Sequence, residues 1–393
     1  MVPPSATQPP QISTLHREAF DVCVAKVRRN IRDLYLNPAS WAFAADGDYT
    51  KWKEGFHEIG NWTSSFFTGM AILGWRDTGD ESFLGDLEKL LPIYQEKLAS
   101  HSSETMHDIG FLYSLYSVAL HKLTGDTRHR ALAIRAAETL AARFIPEGNY
   151  IRAWGRMDEP ATEYPGLAII DCMMNLPLLH WASRETRDRR FRDIAIRHTD
   201  TTLRHFIRAD DSLYHSFRFD PQTGAPMGGD NYCGRAIESQ WARGTAWAMY
   251  GFALAHRHTG DPSYLDAALR VTRNFLSQLE DGEGEIIPIW DFRLLPGEPP
   301  LRDSSAAAVA ICAIQELQSQ GLDEETILHA KDAMLARLCS PAYLDKEPAC
   351  RGILKHGQVG NGVGKARAAY TSWGDYYFME ALARELGQPV TWW

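Results

Sequence analysis

Two kinds of helical pattern alternate along the chain. In the first kind, Trp, Phe, Tyr, Gly and Ala crowd a segment that is apolar nearly all round, as in the apolar positions spaced by three and four between residues 109 and 120. In the second kind, polar and apolar positions separate onto two faces, as in Arg128–Phe144. Because a helix that is apolar on every side must be buried, we expect the first kind to line an inner ring and the second kind an outer ring.

Short turns join the two kinds of segment. The tripeptide Thr-Gly-Asp occupies residues 78–80, 124–126 and 259–261, and a degenerate copy spans residues 185–188. Glycine suits the left-handed position after a helix, and aspartate caps the helix that follows. About twelve helices, starting near residues 14, 59, 80, 107, 127, 167, 189, 238, 262, 303, 323 and 369, predict helical hairpins closed into an all-α (α/α)6 barrel. We expect residues 1–12 to form a flexible tail and residues 13–393 a single catalytic domain.

Long loops precede the predicted inner helices. They span residues 144–166, 208–237, 281–302 and 340–369, and they are rich in Gly, Pro and aromatic residues. Because all of them precede inner helices, they should gather at one end of the barrel. Long loops on a rigid scaffold are where functional sites are usually built, so we expect the site at this end.

Composition and charge exclude several classes of function. The chain has 393 residues, of which 45% are hydrophobic and 23% charged, and its net charge is −9. The absence of a basic run argues against a nucleic-acid partner, and no apolar run is long enough to span a bilayer. The N-terminus lacks the features of a signal peptide, and the six cysteines form no CxxC pair. We therefore expect a cytoplasmic protein with reduced cysteines, as a monomer or homodimer.

Common cofactor and metal motifs are also missing from the sequence. We find no GxGxxG after a strand, no Walker loop, no HExxH and no GxSxG. No Cys/His spacing predicts a zinc site. The sequence therefore predicts neither a cofactor nor a metal.

Two aspartates open predicted inner helices one hairpin apart. Asp108 lies in the first turn of one helix, where the helix dipole favours its ionised form, and it could instead be a simple N-cap. Asp171 lies among aliphatic residues, so burial should raise its pKa, although a hydrogen-bonded core aspartate is the alternative. Two carboxylates whose surroundings push their pKa values apart are a common acid–base arrangement.

Further polar and aromatic residues accompany this pair. Arg243 and Trp247 share one helix face; Arg can grip a carboxylate and Trp can stack on a sugar, or both can belong to the core. Residues 302–305, Arg-Asp-Ser-Ser, most simply cap the next helix and pair the arginine. His215 lies in a long loop, where a histidine is often incidental. Trp62 and Trp154 lie at loop–helix junctions and could form sugar platforms.

Several motifs in order resemble the unsaturated glucuronyl hydrolases, glycoside hydrolase family 88. The resemblance covers roughly residues 58–386 and implies an (α/α)6 barrel. The matching stretches are His107–Phe111, Ile169–Asn175, Trp241–Gly244 with Trp247, Trp290–Phe292, Arg302–Ser305 and Ser372–Tyr377.

The resemblance implies hydration of a C4=C5 double bond at the non-reducing end of an unsaturated uronic-acid oligosaccharide. Asp171 would be the general acid and base that protonates C4 and assists water addition at C5. Asp108 would stay charged, raise the pKa of Asp171 and orient it. The resulting hemiketal would open the ring and release the rest of the chain. The implied substrate-binding residues are Trp62, Trp154, His215, Cys233, Trp241, Arg243 and Trp247.

Two departures from the family leave the sugar specificity open. Tyr232-Cys233 stands where the family commonly has a Gln, often preceded by His, and Thr245 replaces the usual Gln after the Trp-Ala-Arg-Gly motif. Nothing in the sequence shows a base that would make Cys233 a nucleophile. Besides an unsaturated glucuronyl substrate, we keep unsaturated galacturonyl-rhamnose, a saturated or modified glucuronide, and a non-catalytic sugar-binding toroid as alternatives. An isomerase would need paired histidines in the inner ring, which the sequence does not reveal.

Overall fold

Helices dominate the computed structural model, which describes residues 10–36, 44–50, 55–159, 164–279, 284–360 and 369–393. The inner ring is formed by α2 (Ser64–Thr78), α5 (Ile109–Tyr113), α6 (Ala119–Thr124), α8 (Leu176–Thr186), α10 (Ala242–Thr259), α12 (Ser304–Ser319) and α14 (Ser372–Glu385). The outer ring is formed by α1 (Pro10–Leu36), α3 (Ser82–Glu88), α4 (Leu91–Ser100), α7 (Thr127–Ala141), α9 (Arg189–His205), α11 (Pro262–Ser277) and α13 (Glu325–Leu338). The prediction of an all-α fold is therefore confirmed.

The inner helices contact one another in a closed circle. α2 contacts α5, α5 contacts α8, α8 contacts α10, α10 contacts α12, α12 contacts α14, and α14 returns to α2. The inner helices are buried nearly all round, as in α10 and α12, whereas the outer α9 and α11 bury one face. The predicted assignment of apolar helices to the inner ring and amphipathic helices to the outer ring is confirmed.

The turns between the rings have the predicted chemistry. Gly79, Gly125 and Gly260 take left-handed backbone angles, with φ between 66° and 75°. The aspartates that follow accept backbone N–H bonds from the next helix, for example Asp126 from the N–H of Arg128. In the degenerate copy, Arg187 adopts φ 61° without being glycine. These caps set the direction of each outer helix against its inner partner.

Some predicted helix boundaries are wrong. α1 begins at Pro10, so residues 10–12 belong to the helix; residues 1–9 lie outside the described part of the chain. The predicted outer helix near residue 80 is two helices, and Pro92 lies in the first turn of the second, where a residue without an N–H is tolerated. A π-helical turn (Ser114–Val118) joins α5 to α6, and a 3₁₀ turn (Ile170–Met174) precedes α8.

Short strands join the loops at the end where the inner helices begin. They pair antiparallel as β1 with β7, β2 with β3, and β4 with β5 with β6. Their bounds are β1 (Ala44–Ala45), β2 (Phe144–Ile145), β3 (Tyr150–Ile151), β4 (Leu167–Ile169), β5 (Ser216–Phe219), β6 (Pro226–Asp230) and β7 (Tyr370–Thr371). Within the described residues, no helix combines the length and apolarity needed to cross a bilayer.

Aromatic rings fill the centre of the barrel. Consecutive ring centroids are 5.7 Å apart from Trp62 to Phe111, 5.6 Å from Phe111 to Trp247, 5.3 Å from Trp247 to Tyr377, and 6.0 Å from Tyr377 to Trp393. These distances fall within the range of favourable aromatic contacts. The barrel therefore has a packed interior, and this series of rings runs inward from the loop end.

Candidate active site

The two predicted aspartates lie at the starts of neighbouring inner segments. Asp108 occupies the N-cap position of α5, and Asp171 lies in the 3₁₀ turn before α8. Asn175 connects the segments, because its Oδ1 accepts the N–H of Phe111 (2.7 Å) and its Nδ2 donates to the carbonyl of Asp171 (3.1 Å). A Cβ added to Gly110 would lie 2.5 Å from the Cα of Asn175, so this close approach requires glycine.

Strand pairing brings His215 to Asp171. β4 pairs with β5 so that Ile169 lies opposite Ser216, and the N–H of Ile170 donates to the carbonyl of His215 (2.9 Å). Asp171 follows β4 and His215 precedes β5, so both side chains emerge at the same edge. His215 Nε2 lies 3.4 Å from Asp171 Oδ2, and His215 is buried. The sequence alone could not show this contact, because 44 residues separate the two positions (215 − 171).

The electrostatic surroundings of Asp171 differ from the prediction. Burial raises the pKa of the Asp171 carboxyl, but its interaction with His215 and the charges of His107 and Arg243 outweigh burial. The net shift of the Asp171 pKa is downward, so the expectation of a raised pKa is wrong. Asp171 Oδ2 is buried and accepts no hydrogen bond of regular geometry from the described residues. The carboxylate oxygen Oδ2 of Asp171 therefore has the imidazole of His215 as its ion-pair partner.

Both ring nitrogens of His215 have defined neighbours. The backbone N–H of Cys233 lies 3.3 Å from Nδ1, and Asp171 lies beside Nε2. Burial lowers the pKa of His215, but Cys233 and Asp171 more than offset burial and raise it to about 10. The neutral ring with Nδ1 as acceptor and the imidazolium both keep a hydrogen on Nε2, facing Asp171. The sequence showed no base near Cys233, and the structure places the His215 ring there.

Asp108 has a histidine neighbour of its own. His107 Nε2 lies 3.3 Å from Asp108 Oδ2, and both residues are buried. The carboxylate of Asp108 makes no capping hydrogen bond, so it is not used as a simple N-cap. Burial raises the pKa of the Cys172 thiol most, and the charges of Asp108 and Asp171 raise it further, so both carboxylates lie near this thiol. Sequence reasoning did not single out His107, although it adjoins Asp108.

The guanidinium of Arg243 is bound by other residues of the protein, so its donors are not free to bind a substrate. Its Nη1 donates to Asp303 Oδ2 (2.8 Å), to Ser305 Oγ (3.2 Å) and to the carbonyl of Gln358, and its Nη2 donates to the carbonyl of Val359 (2.7 Å). The expected bidentate grip on a substrate carboxylate therefore does not fit this geometry. Arg243 instead fixes the segment before β7 against α10.

Asp303 caps α12 as expected, but it pairs with a different arginine. Its Oδ1 accepts the N–H of Ser305 (3.0 Å), and its Oδ2 binds Arg243 rather than Arg302. Arg302 donates to the carbonyl of Ile287 (2.9 Å). Pairing with the adjacent Arg302 was the simplest reading of the sequence, and only the three-dimensional packing of α10 on α12 brings Arg243 to Asp303.

The predicted tryptophans fall into two groups: two are partly exposed at the loop end, which we call the rim, and two are buried beneath it. Trp62 and Trp154 are partly exposed at the loop end; Trp62 stacks on Trp373 at 5.0 Å, and Trp154 contacts the exposed Tyr232 at 5.1 Å. Their faces can meet a sugar. The other two predicted tryptophans, Trp241 and Trp247, are buried in the packed core beneath the rim. Because Trp247 is 0% exposed, the expected stacking of Trp247 on a sugar does not fit the structure.

Trp241 supports the histidine and arginine of the site. Its ring meets His215 edge to face at 4.8 Å, and the guanidinium of Arg243 lies 4.6 Å from its centroid. A cation near an indole face is stabilised by the ring quadrupole. Trp241 therefore orients two charged groups from inside the barrel.

The three positions that depart from the family pattern differ in how accessible their side chains are. Tyr232 is 56% exposed and lies on the rim beside Trp154, and Cys233 is partly exposed beside His215. Thr245 is buried, and its hydroxyl donates to the carbonyl of Trp241 (3.1 Å) within its own helix. Tyr232 and Cys233 are accessible from the loop end, whereas the Thr245 hydroxyl is engaged internally.

Paired histidines do occur in the inner ring, contrary to the expectation from sequence. The rings of His180 and His258 stack at 4.7 Å, and Arg184 Nη1 lies 3.0 Å from His258 Nδ1. His258 lies in the last turn of α10, far along the helix from the loop end where Asp171 is found. The pair therefore lies outside the cluster around Asp171.

Comparison with known proteins identifies the family. A profile described as Glycosyl Hydrolase Family 88 matches residues 43–384. The unsaturated glucuronyl hydrolase of Bacillus sp. (strain GL1) is 39% identical over 332 residues, covering 82% of this chain and 86% of that protein. The unsaturated chondroitin disaccharide hydrolase of Streptococcus pyogenes serotype M1 is 33% identical over 372 residues, covering 93% and 90%.

Solved structures agree with the sequence comparison. The crystal structure of the unsaturated glucuronyl hydrolase from Streptococcus agalactiae superposes with a TM-score of 0.87 at 30% identity, covering 97% of this chain and 94% of that chain. The corresponding structure from Bacillus sp. GL1 gives a TM-score of 0.84 at 33% identity, with 94% and 96% covered. The (α/α)6 barrel and the enzyme class expected from the sequence are thereby confirmed. The chain belongs to Glycosyl Hydrolase Family 88.

Proposed function

We propose that this enzyme removes a 4,5-unsaturated glucuronyl residue from the non-reducing end of lyase-generated oligosaccharides by hydrating the C4=C5 double bond. The observation that carries the proposal is the pair of a buried histidine and a largely buried aspartate at the loop end, with His215 Nε2 facing Asp171 Oδ2 at 3.4 Å. Relatives are named for this substrate class, and a Streptococcus agalactiae variant was solved in complex with dGlcA-GalNAc6S.

Asp171 and His215 together hold the proton that the reaction needs. In the proposed step, His215 Nε2 passes its proton to Asp171, which donates it to C4 while positive charge develops at C5. A water molecule then adds its oxygen to C5 and returns one proton to the Asp171–His215 pair. One water is added in total, and the resulting hemiketal opens and releases the aglycone.

Asp108 assists Asp171 and His215 while it stays in contact with His107. A second carboxylate near Asp171 favours the protonated form of Asp171 once the uronate anion is bound, because like charges resist joint ionisation. The contact between Asp108 and His107 (3.3 Å) keeps the Asp108 carboxylate in place. We assign Asp108 as the group that orients Asp171 and adjusts its pKa.

The aromatic rim suits the rest of the oligosaccharide. Trp62 and Trp154 are partly exposed and Tyr232 is exposed, and each combines an apolar ring with a polar group, so this rim can contact a sugar. The raised pKa of His215, about 10, leaves it positively charged until it passes its proton to Asp171, and this charge suits the carboxylate of the incoming uronate. Arg243 acts indirectly, by holding the segment that includes Gln358 and Val359.

A second candidate substrate is unsaturated galacturonyl-rhamnose. The observation that favours it is the pair Tyr232–Cys233 at the rim, where the family commonly has an amide that can hydrogen-bond a sugar hydroxyl. A thiol is a weak hydrogen-bond donor, so discrimination between hydroxyl configurations is expected to change at this position.

An absorbance assay tests the proposal and separates the two substrates. The purified enzyme is mixed with unsaturated disaccharides from chondroitin, hyaluronan, heparin, gellan, xanthan, ulvan and pectin, and the ultraviolet absorbance of the conjugated uronate is followed. Loss of absorbance with a glucuronyl substrate supports the proposal, and loss with the pectin product alone supports the second candidate. No loss with any of them contradicts hydration.

A further inference from the structure

Two histidines and a glutamate meet at the loop end, outside the site around Asp171. His57 precedes α2, Glu96 lies on α4, and His101 follows α4. One ligand atom from each residue lies within 4.8 Å of the others, and His57 Nε2 is 3.9 Å from Glu96 Oε2. All three side chains are partly or fully exposed, so an ion can reach them from solvent. These residues are called the His57 cluster below.

A further carboxylate orients one of the histidines. His101 Nδ1 lies 2.6 Å from Glu104 Oε2, and Arg156 Nη1 donates to Glu104 Oε1 (3.0 Å). Histidines that bind metals commonly donate their other ring N–H to a carboxylate, which fixes the tautomer and leaves the opposite nitrogen as a ligand. With its proton on Nδ1, His101 presents the lone pair of Nε2.

The other histidine has a ring nitrogen that no described residue binds. His57 Nδ1 is buried and makes no hydrogen bond with the described residues, and His57 Nε2 lies 3.9 Å from Glu96 Oε2. Lys97 Nζ is turned to the backbone, where it donates to the carbonyl of Phe56 (2.9 Å). A neutral imidazole has the free lone pair that a metal requires.

We propose that the His57 cluster binds one divalent first-row transition ion, of which Zn²⁺ is the representative. Two imidazoles, one carboxylate and a water molecule form a common tetrahedral donor set for zinc. The rings of His57 and His101 are stacked at 4.5 Å with an interplanar angle of 16°. Because Glu104 holds the His101 ring, binding requires the His57 ring to turn about its χ2 angle so that both lone pairs converge on the ion.

The position of the cluster indicates what the ion would stabilise. His57 lies five residues before Trp62, and His101 lies seven residues before Asp108. An ion bound to both would tie the segment that carries a rim aromatic to the segment that carries a candidate active-site carboxylate. The site is independent of the proposed reaction, because none of its ligands belongs to the cluster around Asp171.

A second group of similar residues provides a matched control. Glu88, Asp126 and His129 also bring three ligand atoms within 4.8 Å of one another. There, however, Arg128 binds both carboxylates, at 2.5 Å from Glu88 and 2.6 Å from Asp126. Because this guanidinium already neutralises the carboxylates, the second group should not compete for the ion.

Calorimetric titration of the full-length, metal-stripped protein with Zn²⁺ tests the proposal. We expect one Zn²⁺ per chain, with loss of this binding in His101→Gln and Glu96→Gln. Glu104→Gln should bind about 10–100-fold more weakly, since it removes only the orienting carboxylate. The control variant His129→Gln should bind like the wild type, and Glu96 is exposed enough that its substitution leaves folding intact.

Co²⁺ in place of Zn²⁺ identifies the ligands by spectroscopy. A visible spectrum of tetrahedral nitrogen and oxygen ligation, lost in Glu96→Gln, supports the proposal. A thiolate charge-transfer band would place the ion at a cysteine and overturn it. Absence of Zn²⁺ binding by the wild type, unchanged binding by His101→Gln, or loss of binding in His129→Gln would also overturn it. None of these results depends on whether an unsaturated sugar is the substrate.

Discussion

Single residues around Asp171 show why burial alone is a poor guide to charge. The apolar residues on either side of Asp171 predict its burial; its side chain is 15% exposed, and burial does raise the pKa of Asp171. The opposing effect comes from His215, which the chain supplies 44 positions later (215 − 171), through the pairing of β4 with β5. Sequence reasoning identified both residues but could not predict their contact, because a pKa depends on neighbours in space.

The coupled protonation of this pair can be measured directly. His215 should titrate near a pKa of about 10, well above its ordinary 6.5, and Asp171 below its ordinary 3.8. In Asp171→Asn the His215 pKa should fall, because the neighbouring negative charge is removed. Titration of the histidine ring protons by NMR checks this, with the exposed Asp193→Asn on α9 as a control. A His215 pKa in Asp171→Asn that equals the wild-type value would contradict the assignment of Asp171 as the partner of His215.

The same shifts give a sign for stability against pH. The His215 interaction contributes fully below pH 6.5 and is lost as the pH rises through about 10, because the folded state binds its proton more tightly. The Asp171 interaction is present above its ordinary pKa of 3.8 and is lost as the pH falls below it. Chemical denaturation from pH 7 to 10 should therefore show a decline in the free energy of unfolding that is smaller in His215→Gln. An equal decline in both proteins would count against the pairing.

Helices and turns were the most predictable level of the structure. Apolar crowding, amphipathic faces and Gly-Asp caps are local signals, so ring assignment and hairpin turns followed from the sequence. The π-helical turn at Ser114–Val118 and the 3₁₀ turn at Ile170–Met174 were missed, because both follow from packing between elements. The role of Gly110 in the contact between α5 and the 3₁₀ turn could not be predicted either, because it depends on the close approach of Asn175.

Gly110→Ala tests the close approach of these two elements. The new Cβ would lie 2.5 Å from the Cα of Asn175, so the backbone must shift. We expect about 1–3 kcal/mol lower stability and a reduced kcat, because Asp108 moves relative to Asp171. Gly85→Ala on the outer helix α3 meets nothing within 4 Å and should be neutral or stabilising by about 0.5–1 kcal/mol. Thermal denaturation and kinetics check both, and wild-type behaviour of Gly110→Ala would contradict the role of the contact.

Asp303→Asn tests the ion pair that joins α10 to α12. Both partners are buried, with side-chain exposures of 3% and 0%, so removing one charge leaves Arg243 uncompensated. We expect a loss of about 3–5 kcal/mol in the free energy of unfolding. The exposed pair of Asp266 with Arg270 gives the control, since Asp266→Asn should cost at most about 1 kcal/mol. Similar costs for the two variants would refute the structural role of Arg243.

At the scale of the whole molecule, the two rings of helices provide the stable barrel, and the loops at one end carry the candidate active site. The sequence predicted the barrel, and it places the candidate site at one end because the inner helices share one direction. It could not predict which residues fill the centre, since aromatic residues from distant segments meet there. Trp393 shows this, because its ring stacks on Tyr377 and its Nε1 donates to the buried Glu380 (2.8 Å).

Trp393→Ala should destabilise the barrel without removing any group of the candidate active site. The variant loses a buried indole and leaves a carboxylate oxygen of Glu380 without this donor, so we expect a loss of about 3–5 kcal/mol. Denaturation in urea measures the loss, and the folded fraction should retain turnover. A stability equal to the wild type would show that the ring is dispensable to the core.

The central claim, hydration of the C4=C5 bond with Asp171 as acid and base, is tested most directly by the reaction in D₂O. Wild-type enzyme and Asp171→Asn are given the same unsaturated glucuronyl disaccharide, and the products are examined by NMR. We predict one deuterium placed stereospecifically at C4 by the wild type, and a kcat about 10²–10⁴-fold lower in the variant with binding retained. A first product that keeps its C4=C5 bond, or unchanged turnover in Asp171→Asn, would contradict the mechanism.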